Sequence, residues 1–268
     1  KNTKKIIWIS YKLDKEKLLK LKKVYNFLLT DNNLILKLAK ELNFDSYKLL
    51  ISNDKIINLS FKNFKKRNDK LYFAGSLGSD FSYRFENLIF LSNNFEIKIR
   101  LRNLSEKYWF LNFLNKIIIR LFPNFIKFLF KKKILSFTNK LKFINEDEIF
   151  GKDMFKELTN HKYCVNIHSN FDKNNAINAR VFEALSCGCL LFTDKNEQMN
   201  KFFKNKKHVI YFNSKEDLKT KINYYLLNTK KAFKVAKNGN KLFLKKHQCK
   251  IRIKEFEKIV NTMLKNEN

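Results

Sequence analysis

The apolar residues of the chain come in short runs that alternate between a strand period and a helix period. Lys5 to Tyr11 (KIIWISY), Tyr25 to Thr30 (YNFLLT) and Tyr47 to Ile51 are strand-length and rich in aromatic and β-branched side chains. Between them lie a basic helical piece, Lys15 to Lys23, and a helix from Leu34 to Leu42. In that helix Leu34, Leu38 and Leu42 recur at every fourth position, and Asn32 or Asn33 can serve as its N-cap. This βαβ rhythm is an incomplete doubly wound half. Asn53 to Lys70 is polar and strongly basic and reads as a connection between domains.

A second unit begins at Lys70. Leu71 to Ala74 is a strand, Gly75-Ser76-Leu77-Gly78-Ser79 a turn, Tyr83 to Leu91 a helix and Phe95 to Leu101 the next strand. Glu146 to Asn160 reads as an acidic loop and helix, turning at Phe150-Gly151. Tyr163 to Ile167 and Cys189 to Thr193 are continuous apolar runs, as expected of strands covered on both faces. A polar loop, Ser169 to Asn178, and a compact helix, Ala179 to Cys187, join them. Gly188 stands where a helix favours a left-handed residue. Asn200 to Phe203 reads as a short helix, and His208 to Phe212 as a strand. Ser214 with Asp217 opens a helix in the manner of a capping box, and Lys230 to Lys246 and Lys250 to Leu264 are further helices. The pattern predicts an α/β chain of two Rossmann-like parallel-sheet domains, residues 1–65 and 66–268, the N-terminal one incomplete.

Residues 104–143 break the rhythm. On a helix capped by Ser105, the side chains of Asn112, Lys116, Arg120, Asn124 and Lys127 make one polar stripe in aromatic and aliphatic surroundings. Pro123 should kink it, and Lys131-Lys132-Lys133 closes it. An aromatic face with a basic stripe suits a membrane interface. A core helix or helical hairpin packed on its own domain suits the same pattern.

At 268 residues the chain can hold two α/β domains. It begins with Lys rather than Met, so residues upstream are expected to be absent from it. The formal net charge of +31 favours polyanions, whether nucleic acid, anionic lipid or phosphorylated substrate. Yet lysines run from end to end, beside abundant Asn, Ile and Phe, as in an A/T-biased coding sequence. That weakens charge as a clue to partners. No recognised RNA- or DNA-binding motif appears, so nucleic acid is not the expected partner. Cys164, Cys187, Cys189 and Cys249 make no CxxC pair and lack zinc spacing. Buried, reduced thiols and no metal are expected, which suits the cytoplasm. There is no signal-peptide pattern and no run of 18 apolar residues.

Candidate chemistry gathers where strands end, since parallel sheets bind ligands beyond those ends. Gly75 and Ser76 can offer backbone N–H groups to phosphate, or make a plain βα turn. Arg84, in the first turn of its helix, opposes the helix dipole; a bound anion or simple exposure to water accounts for it. Arg180 and Glu183 share one helix face at i and i+3. Arg can grip a diphosphate bidentately and Glu can accept from a vicinal diol such as a ribose. The plainer alternative is a surface ion pair worth under ~1 kcal/mol. His168 either anchors its loop or touches a ligand.

The run NIHSNFDKNNAINARVFEALSCGCLLFTD resembles the donor-binding signature of GT-B glycosyltransferases of group 1. Within that group it looks like the CgeB-like, spore-maturation-protein type, through Asn166, His168, Asn178, Arg180, Phe182, Glu183, Ala184 and Gly188. The likeness extends to LYFAGSLGSDFSYR (Leu71 to Arg84), SKEDLKTKINYYLLN (Ser214 to Asn228), Gly239, His247 and Arg252. It implies a UDP- or GDP-linked sugar as co-substrate, without a metal or other cofactor. It implies donor contacts from Gly75, Ser76, Arg84, His168, Asn178, Arg180 and Glu183, with Glu183 on the ribose and Arg180 or the Gly75-Ser76 turn near the diphosphate. The expected acceptor is a polysaccharide, a lipid-linked glycan or a protein. The expected setting is cytoplasmic, peripheral on an anionic inner membrane face. Three features depart from the pattern. Asn175 stands where many retaining enzymes carry a second Glu, eight residues before the one matched by Glu183. His247-Gln248-Cys249 replaces a commoner His-Thr-Tyr. The first domain, which in GT-B enzymes holds the acceptor and often the base, is short. Neither a catalytic base nor the stereochemical outcome is assigned. The alternative is a non-catalytic basic protein on a transferase scaffold, bound to membrane or nucleic acid.

Overall fold

A computed structural model describes residues 3–10, 13–54, 56–76, 81–102, 145–146, 149–168 and 174–265. The expected kinked helix over 104–143, with its membrane and core alternatives, lies outside the described residues, as does Leu77-Gly78-Ser79.

Two parallel sheets organise the chain. The first runs β1 (Ile6–Ile9), β2 (Phe27–Thr30), β3 (Ser46–Lys48), in that spatial order. Its crossovers are α1 (Lys15–Lys22) and α2 (Asn33–Glu41). Asp14 caps α1 by accepting from the Lys17 N–H. Asn32 caps α2, its Oδ1 accepting from Leu34 N at 2.9 Å. Residues i and i+2 of a strand share a face. Accordingly Ile9 and Leu28 pack against Leu18, Ile35 and Ala39 of the helices. Phe27 and Leu29 face the other way.

The second sheet has six strands: β4 (Asn68–Ser76), β5 (Ile97–Arg102), β6 (Asn145–Glu146), β7 (His161–Asn166), β8 (Leu190–Asp194) and β9 (Ile210–Phe212). Their spatial order is β6-β5-β4-β7-β8-β9, every pairing parallel. The chain therefore builds outward from β4 to β6, then returns and builds outward again from β7. The seam between β4 and β7 is the topological switch point. Every residue of β7 and β8 is buried, as their continuous apolar runs predict. One face is covered by α3 (Phe61–Lys65), α4 (Phe81–Asn94), α8 (Lys215–Leu227) and α9 (Thr229–Lys246), through Phe64, Leu88, Ile222 and Ala236. The other is covered by α5 (Gly151–Asn160) and α6 (Ala179–Ser186), through Leu158, Val181 and Phe182. Burying a phenylalanine such as Phe182 contributes about 1.5–3 kcal/mol.

Three local readings change. Leu59 and Phe64, inside the basic segment read as a connection, are buried in the main core; Phe64 packs edge-on against Tyr163 at 6.5 Å. Gly75 and Ser76 are not a turn. They end β4 in register with Leu101 and Arg102, because β5 offers them ladder partners. The short helix predicted over Asn200–Phe203 lies earlier, as α7 (Glu197–Asn200), because Asn196 caps it by accepting from Gln198 N and Met199 N. The last helix, α10 (Cys249–Lys265), returns to the small sheet. Its Met263 and Ile259 join Phe27, Leu29 and Leu49.

Candidate functional site

The carboxyl ends of β4, β7 and β8 meet the N-terminus of α6. Arg84 ties the two strands of the switch point together. Its Nε donates to Ile167 O at 2.9 Å and its Nη1 to Ser76 O. Gly75 and Ser76 are thereby held beside the end of β7, with Ser76 exposed.

Asn178 is the N-cap residue of α6, yet its side chain makes no cap bond. It turns instead to β7, donating from Nδ2 to Asn166 Oδ1 at 2.8 Å. Asn166 passes the bond on to Thr193 Oγ1 at 3.0 Å. His168 is fully buried, and its Nδ1 lies 2.7 Å from Asp194 Oδ1. Its backbone N–H donates to the same oxygen at 3.0 Å. Asn166, His168, Asn178, Thr193 and Asp194 thus form one network that locks the loop ends around α6.

In the first turn of α6, Arg180 reaches across to β4. Its Nε donates to Ala74 O at 3.0 Å and its Nη1 contacts Met154 Sδ at 2.9 Å. Arg180 Nη1 and Glu183 Oε2 stand 2.8 Å apart as an ion pair, although the angle gives that oxygen no directed hydrogen bond. The side chains are 16% and 17% exposed, so this is not the freely solvated surface pair that spacing alone allows. Burial holds the Glu183 carboxyl above the usual carboxylate range, and Arg180 opposes the shift. An acid kept short of partners in this way has capacity to accept from a ligand.

The small sheet closes the other side. Asn33 N, in the first turn of α2, donates to Asn175 O at 2.9 Å. Lys48 Nζ spans the two sheets, donating to Asn33 Oδ1 at 2.6 Å and Gln198 Oε1 at 3.1 Å. Burial, with Lys201 nearby, pushes the Lys48 ammonium below its ordinary range, while Asp31 acts the other way. Asn196 Nδ2 donates to Ala176 O at 3.0 Å. Residues 174–176, just before the α6 cap, are therefore held from both sheets.

The sequence-predicted residues all fall at this one end of the large sheet. Arg180 with Glu183, and His168 with Asn178, meet through the contacts above, while Gly75, Ser76 and Arg84 flank them. Asp194 went unread: its signal is one acid closing an apolar strand, visible as a site residue only once β7 and β8 pair. Among the described residues no cluster of His, Cys, Asp or Glu is placed to hold a metal ion. None of their helices is long and apolar enough to cross a membrane. Cys164, Cys187 and Cys189 are buried free thiols, and burial pushes Cys189 up to about 11.

Among curated proteins none matches the chain. Solved structures do. Anabaena HepE in complex with UDP-glucose aligns over 93% of this chain and 68% of its own, at 11% identity and a TM-score of 0.64. A glycosyltransferase from Rickettsia africae covers 97% and 71%, at 12% identity and 0.61. Sucrose-phosphate synthase from Thermosynechococcus elongatus covers 94% and 63%, at 9% identity and 0.62. At these identities the likeness establishes the fold, two Rossmann-like domains of the GT-B kind. A family model described as glycosyl transferase-like matches residues 123–258, just over half of the chain and inclusive of the whole β7–α6–β8 site. The chain belongs to the glycosyl transferase-like family, as a glycosyltransferase of GT-B architecture.

Proposed function

We propose that the chain moves a sugar from a UDP- or GDP-linked donor to a polysaccharide, lipid-linked or protein acceptor, as a CgeB-like member of its family. The observation that carries this is the half-buried Arg180–Glu183 pair beside the switch point of the sheet. Glu183 would accept from the ribose hydroxyls. Arg180 and the amides at the N-terminus of α6 would stabilise the leaving diphosphate electrostatically. Gly75, Ser76, Arg84, His168 and Asn178 complete the donor contacts. That the HepE structures hold UDP and UDP-glucose supports a uridine donor as the first to test. The aromatic and basic sequence of residues 104–143 supports docking on an anionic membrane face that carries the acceptor.

The test is calorimetric titration of UDP and GDP into wild type and Glu183→Ala. Charged hydrogen bonds are worth about 1.5–3 kcal/mol, so the variant should bind roughly 10- to 100-fold more weakly. Equal affinities would remove Glu183 from the ribose.

A further inference from the structure

Asp194 has no place in the donor contacts named so far, yet it is built into them. It is 2% exposed and closes β8 after Leu190, Leu191, Phe192 and Thr193. One of its oxygens takes two contacts from His168: the backbone N–H at 3.0 Å and Nδ1 at 2.7 Å. A carboxylate this close to a ring nitrogen is attractive only if that nitrogen carries the proton. Asp194 therefore fixes the ring's orientation and its tautomer. Asn166 flanks the same nitrogen at 3.4 Å and is held by Thr193 and Asn178. This leaves His168 Nε2, on a residue with no exposed surface, without a hydrogen-bond partner among the described residues. A ring that served only to anchor its loop would complete its task through Nδ1 and the backbone. A buried, unpaired nitrogen beside the N-cap of α6 instead points to a group that arrives with a ligand.

We propose that Asp194 is a positioning residue: it holds Nδ1–H of His168 and fixes the ring, so that Nε2, taking up a proton from solvent as the donor binds, presents an N–H to its diphosphate. In the complex the ring carries both protons and lies between two anions, the carboxylate and a phosphate oxygen. This rests on the donor-site reading above. It adds a residue that the α6 signature does not contain, and it gives His168 the diphosphate rather than the sugar.

The test uses protein labelled with 15N at histidine, in long-range 1H–15N spectra with and without UDP, GDP and inorganic diphosphate. His168→Gln identifies the His168 signals among the four histidines. Whichever nucleotide binds by calorimetry should move His168 Nε2 into the protonated range while Nδ1 stays protonated. Inorganic diphosphate should do the same at higher concentration. Asp194→Asn should lose the fixed tautomer and bind about tenfold more weakly. His168→Gln, which retains an N–H donor, should keep more affinity than His168→Ala. A nucleotide that binds without moving Nε2 overturns the inference and leaves the donor site standing. If neither nucleotide binds, the donor reading falls and this inference with it.

Discussion

Replacing His247 with Asn should flatten the dependence of stability on acid pH. The His247 ring follows α9 and sits among Phe182, Phe202 and Phe203, at centroid distances of 5.4, 5.6 and 5.3 Å. Its Nδ1 accepts from Arg252 Nη2 at 2.6 Å, which only a neutral ring can do. Burial first, then the charges of Arg252 and Lys246, push the imidazole from 6.5 down to about 4. The unfolded chain takes up a proton near 6.5, whereas the folded chain resists until about 4. The contribution is thus fully present above 6.5 and is lost as pH falls from there to about 4. A shift from 6.5 to about 4 corresponds to about 3 kcal/mol at most, since each pH unit is worth about 1.4 kcal/mol. At roughly 2–4 °C per kcal/mol for a chain of this size, that is about 6–12 °C in Tm. The assay is thermal melting by circular dichroism from pH 7.5 to 4. His247→Asn keeps an acceptor for Arg252 but loses the ring, so it starts roughly 2–4 kcal/mol lower. The slope carries the test. Parallel curves for wild type and variant would refute the idea that His247 is held neutral by its surroundings.

Other perturbations follow from the same contacts. In Gly239→Ala the new Cβ would lie 2.5 Å from His208 O and 2.8 Å from Leu185 Cδ2. Backbone cannot yield cheaply there, and the urea midpoint should fall by the equivalent of roughly 1–3 kcal/mol. Glu183→Gln removes a largely buried charge that its surroundings disfavour while keeping volume, so the melting temperature should rise even as nucleotide affinity drops. Lys48→Met breaks the bond to Asn33 within the small-sheet unit and the bond to Gln198 that links it to the large sheet, a loss of about 1–2 kcal/mol. Hydrogen exchange should then quicken at residues 174–176; unchanged exchange would show that Lys48 does not hold that loop.

Much of the large sheet was legible because its central strands are covered on both faces. Such strands read as unbroken apolar runs, as in Tyr163 to Ile167 and Leu190 to Thr193. Local polar chemistry was legible too. Asn32 and Ser214 cap their helices, and Gly188 takes φ +68° after α6, with Leu59 Cδ1 3.0 Å from where a Cβ would sit. What escaped depends on partners distant in sequence. Gly75 and Ser76 look like a turn until β5 pairs with them. Phe64 lies in a basic stretch, and only the fold brings it onto Tyr163 and Phe233. Met263 gives no sign that it packs on the small sheet, beside Phe27, Leu29 and Leu49. The residue pattern around α6 that underlies the proposed donor site was readable from residue types at fixed spacing. Asp194 was not, since its meaning comes from a histidine 26 residues earlier.

The central claim is that β7, α6 and β8 form a nucleotide-sugar site. A crystal structure of the chain soaked with UDP- or GDP-sugar tests it most directly. Ribose oxygens should lie at hydrogen-bond distance from Glu183, and phosphate oxygens beside Arg180 and His168, in the opening between the two sheets. Density for the nucleotide at a different end of the sheet, or none at concentrations that saturate related enzymes, would contradict it.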